Sequence, residues 1–211
     1  MKEESLDTRG EALIVEKLAR LLGHAPIDWS AEGLTHNANN AVTARIWRVR
    51  AGSLTAVLKV VSPGGTAVSM EWSPSEDPSH WNYWEREALA YEHGFTTAYS
   101  EAGVSGPRLL ASNRRPGREV ALWLEDMRSG DGSVPGTEWG VSDYRRFAYG
   151  LGLAQGRIAI AGSALDHPWL TRHFLRDYVL SKQVDRNVLY SDEAWRHRAE
   201  PSALVGCYSL S

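Results

Sequence analysis

Thr55-Ala56-Val57-Leu58-Lys59-Val60-Val61 reads as a β-strand with a lysine set into its apolar run. Aliphatic and β-branched residues of this kind fit a half-buried pleated surface. Side chains alternate across a strand, so Lys59 shares a face with Val57 and Val61. A lysine flanked this way has two readings. It sits on an edge strand, where its charge discourages aggregation, or it is held in a partly buried site by an anion. The strand alone leaves both open.

Working back from it, Ala51-Gly52-Ser53 is a connection of hairpin length, and Val42–Arg50 precedes it with Val42, Ala44 and Ile46 alternating with Thr43 and Arg45. A further strand is expected over Ile27–Leu34. The small, polar run Thr35-His36-Asn37-Ala38-Asn39-Asn40 forms the turn between these first two strands. Before them, Leu13, Ile14, Leu18, Leu21 and Leu22 recur near a period of 3.6. They predict a helix over 11–22 that Gly23 ends.

Working forward, the Pro and Gly residues of 62–78 mark a loop. Ser79 is placed to cap a helix from His80 to His93, with Gly94 as its stop. Leu109–Ser112 and Glu119–Glu125 read as a hairpin turning at Arg115-Pro116-Gly117. A Gly-rich connector covers 128–137. Tyr144, Phe147, Leu151, Ala154 and Ile158 then mark one helical face, with Ser142 as a cap. Gly150, Gly152 and Gly156 weaken that helix by up to about 1 kcal/mol each relative to Ala, and would let a neighbour approach closely. Pro168 opens another helix to about Leu180, and a short one is expected over Asp192–Arg198. The fold class is α+β: a five-stranded antiparallel sheet with one packed helix, followed by a helical region.

Bulk properties narrow the function classes. A net charge of −3 offers no footprint for nucleic acid. No apolar run approaches the roughly 18 residues that span a bilayer, so no membrane partner is expected. Cys207 is the one cysteine, which rules out an internal disulfide and suits a reducing compartment. Met1-Lys2-Glu3-Glu4-Ser5 is too polar for a secretory signal. The expectation is a cytoplasmic protein.

Glu87 is the natural counterpart of Lys59. It lies three positions after Trp84 and four before Tyr91, on the border of its helix's apolar stripe. A carboxylate entering a buried site needs a partner, because an unpaired buried charge is costly. A solvated face is the other reading, since Glu85, Arg86 and Glu92 are close by. Periodicity does not separate Glu87 from Glu92.

Val57-Leu58-Lys59-Val60 on a strand, Trp84-Glu85-Arg86-Glu87-Ala88 on a helix, and Ala121-Leu122-Trp123-Leu124-Glu125-Asp126 at a strand end occur in an order that resembles the N-lobe of aminoglycoside phosphotransferases. These enzymes are small-molecule relatives of protein kinases. The resemblance covers about residues 27–160. It implies a protein-kinase-like fold, with a nucleotide-binding N-lobe over 1–126 and a partial helical C-lobe over 127–211. It also implies ATP or GTP with Mg²⁺ as cofactor, and a small-molecule hydroxyl or amino-alcohol as acceptor in a full-length relative. By the same resemblance Lys59 meets the α- and β-phosphates and Glu87 orients it. The carbonyl of Leu124 and the amide of Asp126 seat the base. Asn39 and Asn40, in the phosphate-covering turn, offer donors to phosphate; an ordinary Asn-rich turn is the competing reading.

The same family takes its acceptor base and metal ligands from a His-x-Asp-x-x-x-x-Asn loop and a later Asp. Two places after the seven histidines stand Pro26, Ala38, Asn82, Phe95, Trp169, Leu175 and Ala199, and none is Asp. No catalytic residue and no metal ligand is therefore assigned. The chain alone is expected to be inactive, truncated before the catalytic loop, with a protein partner covering the incomplete C-lobe. The alternative is a non-catalytic nucleotide-binding or protein-interaction module.

Overall fold

The structure is a computed structural model, and it describes residues 8–36, 41–65, 72–127, 140–160, 166–171 and 173–180. In chain order these form α1 (Thr8–Leu22), β1 (Trp29–Gly33), β2 (Thr43–Ala51), β3 (Leu54–Val61), α2 (Arg86–Glu92), α3 (Phe95–Glu101), β4 (Leu109–Arg115), β5 (Glu119–Glu125), α4 (Val141–Ile160) and α5 (Phe174–Leu180). The chain divides into two compact units, Met1–Arg172 and His173–Ser211. The boundary expected after Asp126 falls inside the first. In the second, α5 stacks the rings of Phe174 and Tyr178 one turn apart, with centroids 5.6 Å apart.

The five strands form one antiparallel sheet in the order β1-β2-β3-β5-β4. β3 is the middle strand, hydrogen-bonded on both sides. The edge-strand reading of Lys59 therefore falls.

Both faces of the central strands are apolar, so both need cover. Trp47, Val49, Ala51, Ala56, Leu58, Val60, Ala121 and Trp123 pack with Ile14 and Leu18 of α1. On the opposite face Val42, Val61, Val120, Leu122 and Leu124 pack with Ala88 of α2 and with Trp84 just before it. The single packed helix expected from the sequence is thus corrected to two, one on each side. Val57 and Val61 belong to the α2 face. Lys59 follows them there by alternation.

The helix expected over 80–93 is shorter. Residues 77–85 form turns, and Ser79 caps nothing: its amide and hydroxyl both bond Asp77 Oδ1, at 2.9 and 2.8 Å. This is the local side-chain bonding by which Asp and Ser compete with a helix start. The backbone of 82–84 bonds Ser75 instead, through Ser75 N to Asn82 O (2.9 Å) and Trp84 N to Ser75 O (3.1 Å). Gly94 does end α2, in a left-handed conformation with φ 73°, and at once begins α3. The sequence reading passed over α3, whose Phe, Thr and Tyr residues are indifferent helix formers.

Asp143, not Ser142, serves the start of α4: its Oδ2 accepts from the Gly140 amide at 3.0 Å. The helix expected from Pro168 begins only at Phe174. The connector 128–137, the helix expected over 192–198 and the C-terminal tail lie outside the described residues.

Candidate functional site

The site forms where α2 crosses the sheet. In the ladder, Lys59 lies between Ile46 of β2 and Leu122 of β5. Its Nζ donates to Glu87 Oε2 at 2.6 Å. The lysine side chain is 18% exposed and the glutamate 36%. The pair is therefore partly desolvated and still open on one side. Among the described residues Glu87 is the partner found for Lys59, which leaves donors of the ammonium for a second anion.

α2 has seven residues and no side-chain cap. A helix this short does not hold itself together in water, so tertiary contacts must fix it. Ala88 is fully buried beneath it. Arg86 ties its start to the preceding turns. Its guanidinium donates to the carbonyls of Trp81 (2.5 Å), His80 (2.6 Å), Pro78 (3.2 Å) and Trp169 (2.7 Å). Burial lowers the pKa of Arg86 from its usual value, and the acceptors it meets among the described residues are neutral carbonyls, which repay less of its desolvation than a carboxylate would.

The ambiguity between Glu87 and Glu92 is resolved. Glu92 faces the edge strand, where Ser112 and Arg114 of β4 bond its Oε1 at 3.0 and 3.1 Å. Glu87 faces the central strand. Tyr91, one turn after Glu87, has its phenol pKa raised, first by burial and then by the Glu87 charge.

Leu124 is buried at 5% exposure and is in register with Val57 on one side and Leu109 on the other. Asp126 stands just beyond β5. Its carboxylate takes a hydrogen bond from Arg48 Nε at 2.7 Å. Arg48 was missed in the sequence. Alternation puts Arg48 on the face of Ile46 and of the exposed Arg50 and does not mark it as buried. Its Nη1 lies 3.6 Å from Glu32 Oε2 of β1, and the same oxygen accepts from Arg50 at 3.3 Å. The hydrogen bond to Asp126 raises the Arg48 pKa against the opposing effect of burial.

Asn39 and Asn40 lie outside the described residues. The residues that follow them, from Ala41, are held in place. The Ser62 amide donates to Val42 O at 3.0 Å, and a Cβ placed on Gly65 would lie 1.8 Å from Ala41 O. The loop after β3 is thus pressed against the start of β2, and only glycine fits there.

The structure therefore brings Lys59 and Glu87 together and puts Leu124 beside them on the same sheet face. It gives Asp126 a side-chain role that the sequence did not suggest. Chemically, the arrangement is a half-buried cation, oriented by a carboxylate and open to an anion. Comparison with family models, with curated proteins and with solved structures finds no match for this chain.

Proposed function

We propose that the sheet and α2 form a nucleotide-binding lobe of the aminoglycoside-phosphotransferase, kinase-like type. The observation that carries this reading is the 2.6 Å pair between Lys59, on the central strand, and Glu87, on a helix packed over it. A buried or half-buried lysine is stabilised by its carboxylate, and a carboxylate that takes one of three N–H groups leaves the others for phosphate oxygens. In this reading Lys59 contacts the α- and β-phosphates of ATP or GTP, Glu87 fixes its direction, and the backbone at Leu124 and Asp126 meets the base. Mg²⁺ would enter with the nucleotide and would supply charge neutralisation at its phosphates, and no residue of this chain is assigned to hold it. The sequence given holds no His-x-Asp-x-x-x-x-Asn, so the activity proposed for these residues is nucleotide binding without turnover.

A calorimetric titration with Mg·ATP and Mg·GTP tests the reading, run beside Lys59→Ala and Glu87→Gln. The expected result is binding that each substitution weakens by about tenfold or more, the scale of a lost charge-assisted contact. A folded wild-type chain that binds neither nucleotide overturns the reading. So does binding that both substitutions leave unchanged.

A second reading, a protein-interaction module, has its own observation. Val141, Tyr149 and Ile160 of α4 are 68, 75 and 88% exposed, and large apolar side chains that face water in number favour a partner surface. A Tyr149→Glu/Ile160→Glu chain that loses a defined complex while keeping its nucleotide affinity would favour that role.

A further inference from the structure

The α2-facing side of the sheet carries a second cation, on the far side of the helix from Lys59. In the ladder, Lys59 (β3) pairs with Leu122 (β5), and Leu122 pairs with Ser112 (β4). Arg114 follows two residues later on the same face of β4. The strands β3 and β4 lie two strand spacings apart, roughly 10 Å, with Leu122 between them. α2 sits above Leu122 and sends carboxylates down both flanks. Successive residues on a helix turn by about 100°. Glu85 and Glu92 are seven apart and so share one flank, whereas Glu87 falls on the other. The contacts follow this geometry. Arg114 Nη2 donates to Glu85 Oε1 at 2.5 Å, and its Nη1 donates to Glu92 Oε1 at 3.1 Å. Ser112 Oγ donates to the same Glu92 oxygen at 3.0 Å, and the Tyr83 hydroxyl to Glu85 Oε2 at 3.0 Å. Lys59 takes the opposite flank, through Glu87.

We infer that Arg114 is a positioning residue for the Lys59–Glu87 pair: by gripping Glu85 and Glu92 together it stops α2 from rolling about its axis, the motion that would lift Glu87 off Lys59. A seven-residue helix with no side-chain cap has little internal resistance to such a roll. Arg86 anchors its start to the preceding turns and Ala88 and Tyr91 pack in the cluster beneath it; the Arg114 network adds a tie from both ends of the helix to one strand. One exposed ion pair would matter little, and Arg114 is 54% exposed. Here one guanidinium bridges the carboxylate of Glu85, the residue just before α2, and that of Glu92 at its far end, each with a hydroxyl as a further partner, and a network of that kind fixes geometry where a single pair does not. The inference rests on the reading of Lys59 and Glu87 as the functional pair.

The test reads Lys59 directly and uses no nucleotide. The rate at which an amine-reactive acylating probe labels Lys59 is measured by mass spectrometry. The chains compared are the wild type, Glu87→Gln, Arg114→Gln and the Glu85→Gln/Glu92→Gln double variant, each checked for native circular dichroism. Losing Glu87 frees the ammonium, so Glu87→Gln should label faster by about threefold or more. Arg114→Gln and Glu85→Gln/Glu92→Gln should approach that rate, and either chain decides if the other does not fold. Adding Arg114→Gln to Glu87→Gln should raise the rate no further, because Arg114 acts through Glu87. A general loosening of the fold would instead add to it. Labelling of the Arg114 or double-glutamine chain at the wild-type rate overturns the positioning role and leaves the Lys59–Glu87 pair intact. Equal rates for the wild type and Glu87→Gln remove the pair itself, and this role with it.

Discussion

Arg48 Nε donates to Asp126 Oδ2 at 2.7 Å, and the bond joins β2 to the residue after β5 over the intervening strand β3. Both side chains are nearly covered, at 5 and 10% exposure. Val57 explains the geometry: its register partner is Arg48 on one side and Leu124 on the other. The guanidinium thus lies beside the strand end that the proposed function assigns to the nucleotide base, and it fixes where the chain leaves the sheet. Glu32 and Arg50 extend the charges outward to β1.

Removing both members of this pair should cost less than the sum of the two single removals. Arg48→Leu takes the 2.7 Å Nε–H donor from a largely covered carboxylate, a loss of about 2 kcal/mol or more. Asp126→Asn keeps an acceptor and should cost less. The Arg48→Leu/Asp126→Asn chain should be more stable than the sum of the single losses, because the uncompensated charge is gone. Urea unfolding of the four chains decides. Strict additivity would mean that the two side chains do not depend on each other.

The sheet was legible in the sequence because its signals are local. Alternation marked β2 and β3, and the span Glu119–Glu125 of β5 was read to the residue. Lys59 and Glu87 were legible as candidates because each stands at an apolar border where a lone charge is costly, but periodicity left Glu92 equally open, and the family resemblance made the choice. Three things were not legible, for different physical reasons. α3 forms from residues of middling propensity, held by tertiary contacts. The stretch 77–85 bonds to its own side chains and to Ser75, and no periodicity reports such bonds. Arg48 looks on paper like any strand arginine, and its partner stands 78 residues away, where only the fold brings it near.

The three glycines of α4 look alike in sequence and should behave in opposite ways. A Cβ on Gly150 would lie 2.7 Å from a Val104 methyl and 2.9 Å from the Ala102 carbonyl oxygen, so α4 there touches the turn after α3. Gly150→Ala should therefore destabilise by about 1–3 kcal/mol, the usual cost of overpacking. Gly152 and Gly156 have open space around the same position. Gly152→Ala and Gly156→Ala should each stabilise by about 0.5–1 kcal/mol through helix propensity and a less free unfolded chain. Thermal unfolding of the three chains tests this. A Gly150→Ala chain as stable as Gly152→Ala would show that α3 and α4 do not approach as described.

Gly65 makes a comparable prediction beside the proposed phosphate turn. A Cβ there would overlap the Ala41 carbonyl oxygen at 1.8 Å, and backbone cannot swing aside as a side-chain tip can. Gly65→Ala should cost about 2 kcal/mol or more. It should also weaken nucleotide binding, since Ala41 directly follows Asn39 and Asn40 in the chain, the residues expected to offer donors to phosphate. A substitution that changes neither stability nor affinity would detach that loop from the site.

The alkaline limb of stability should report on α2. Burial raises the phenol pKa of Tyr83, and the Glu85 carboxylate adds to the effect. Burial likewise raises Tyr91, with the Glu87 charge behind it. Each phenol therefore holds its proton more tightly in the folded chain than in the unfolded one. Their contribution is fully present below the ordinary tyrosine value near pH 10 and is lost as pH climbs through the raised values. Stability measured by urea unfolding should fall with pH above about 10, and Tyr91→Phe and Tyr83→Phe should each make that fall shallower. Phenolate absorbance should show a late-titrating fraction in the wild type that shrinks in each variant. If both variants lose stability along the wild-type slope, the two phenols are not held under α2, and the cover over Lys59 and Glu87 is looser than the packing of Trp84 and Ala88 implies.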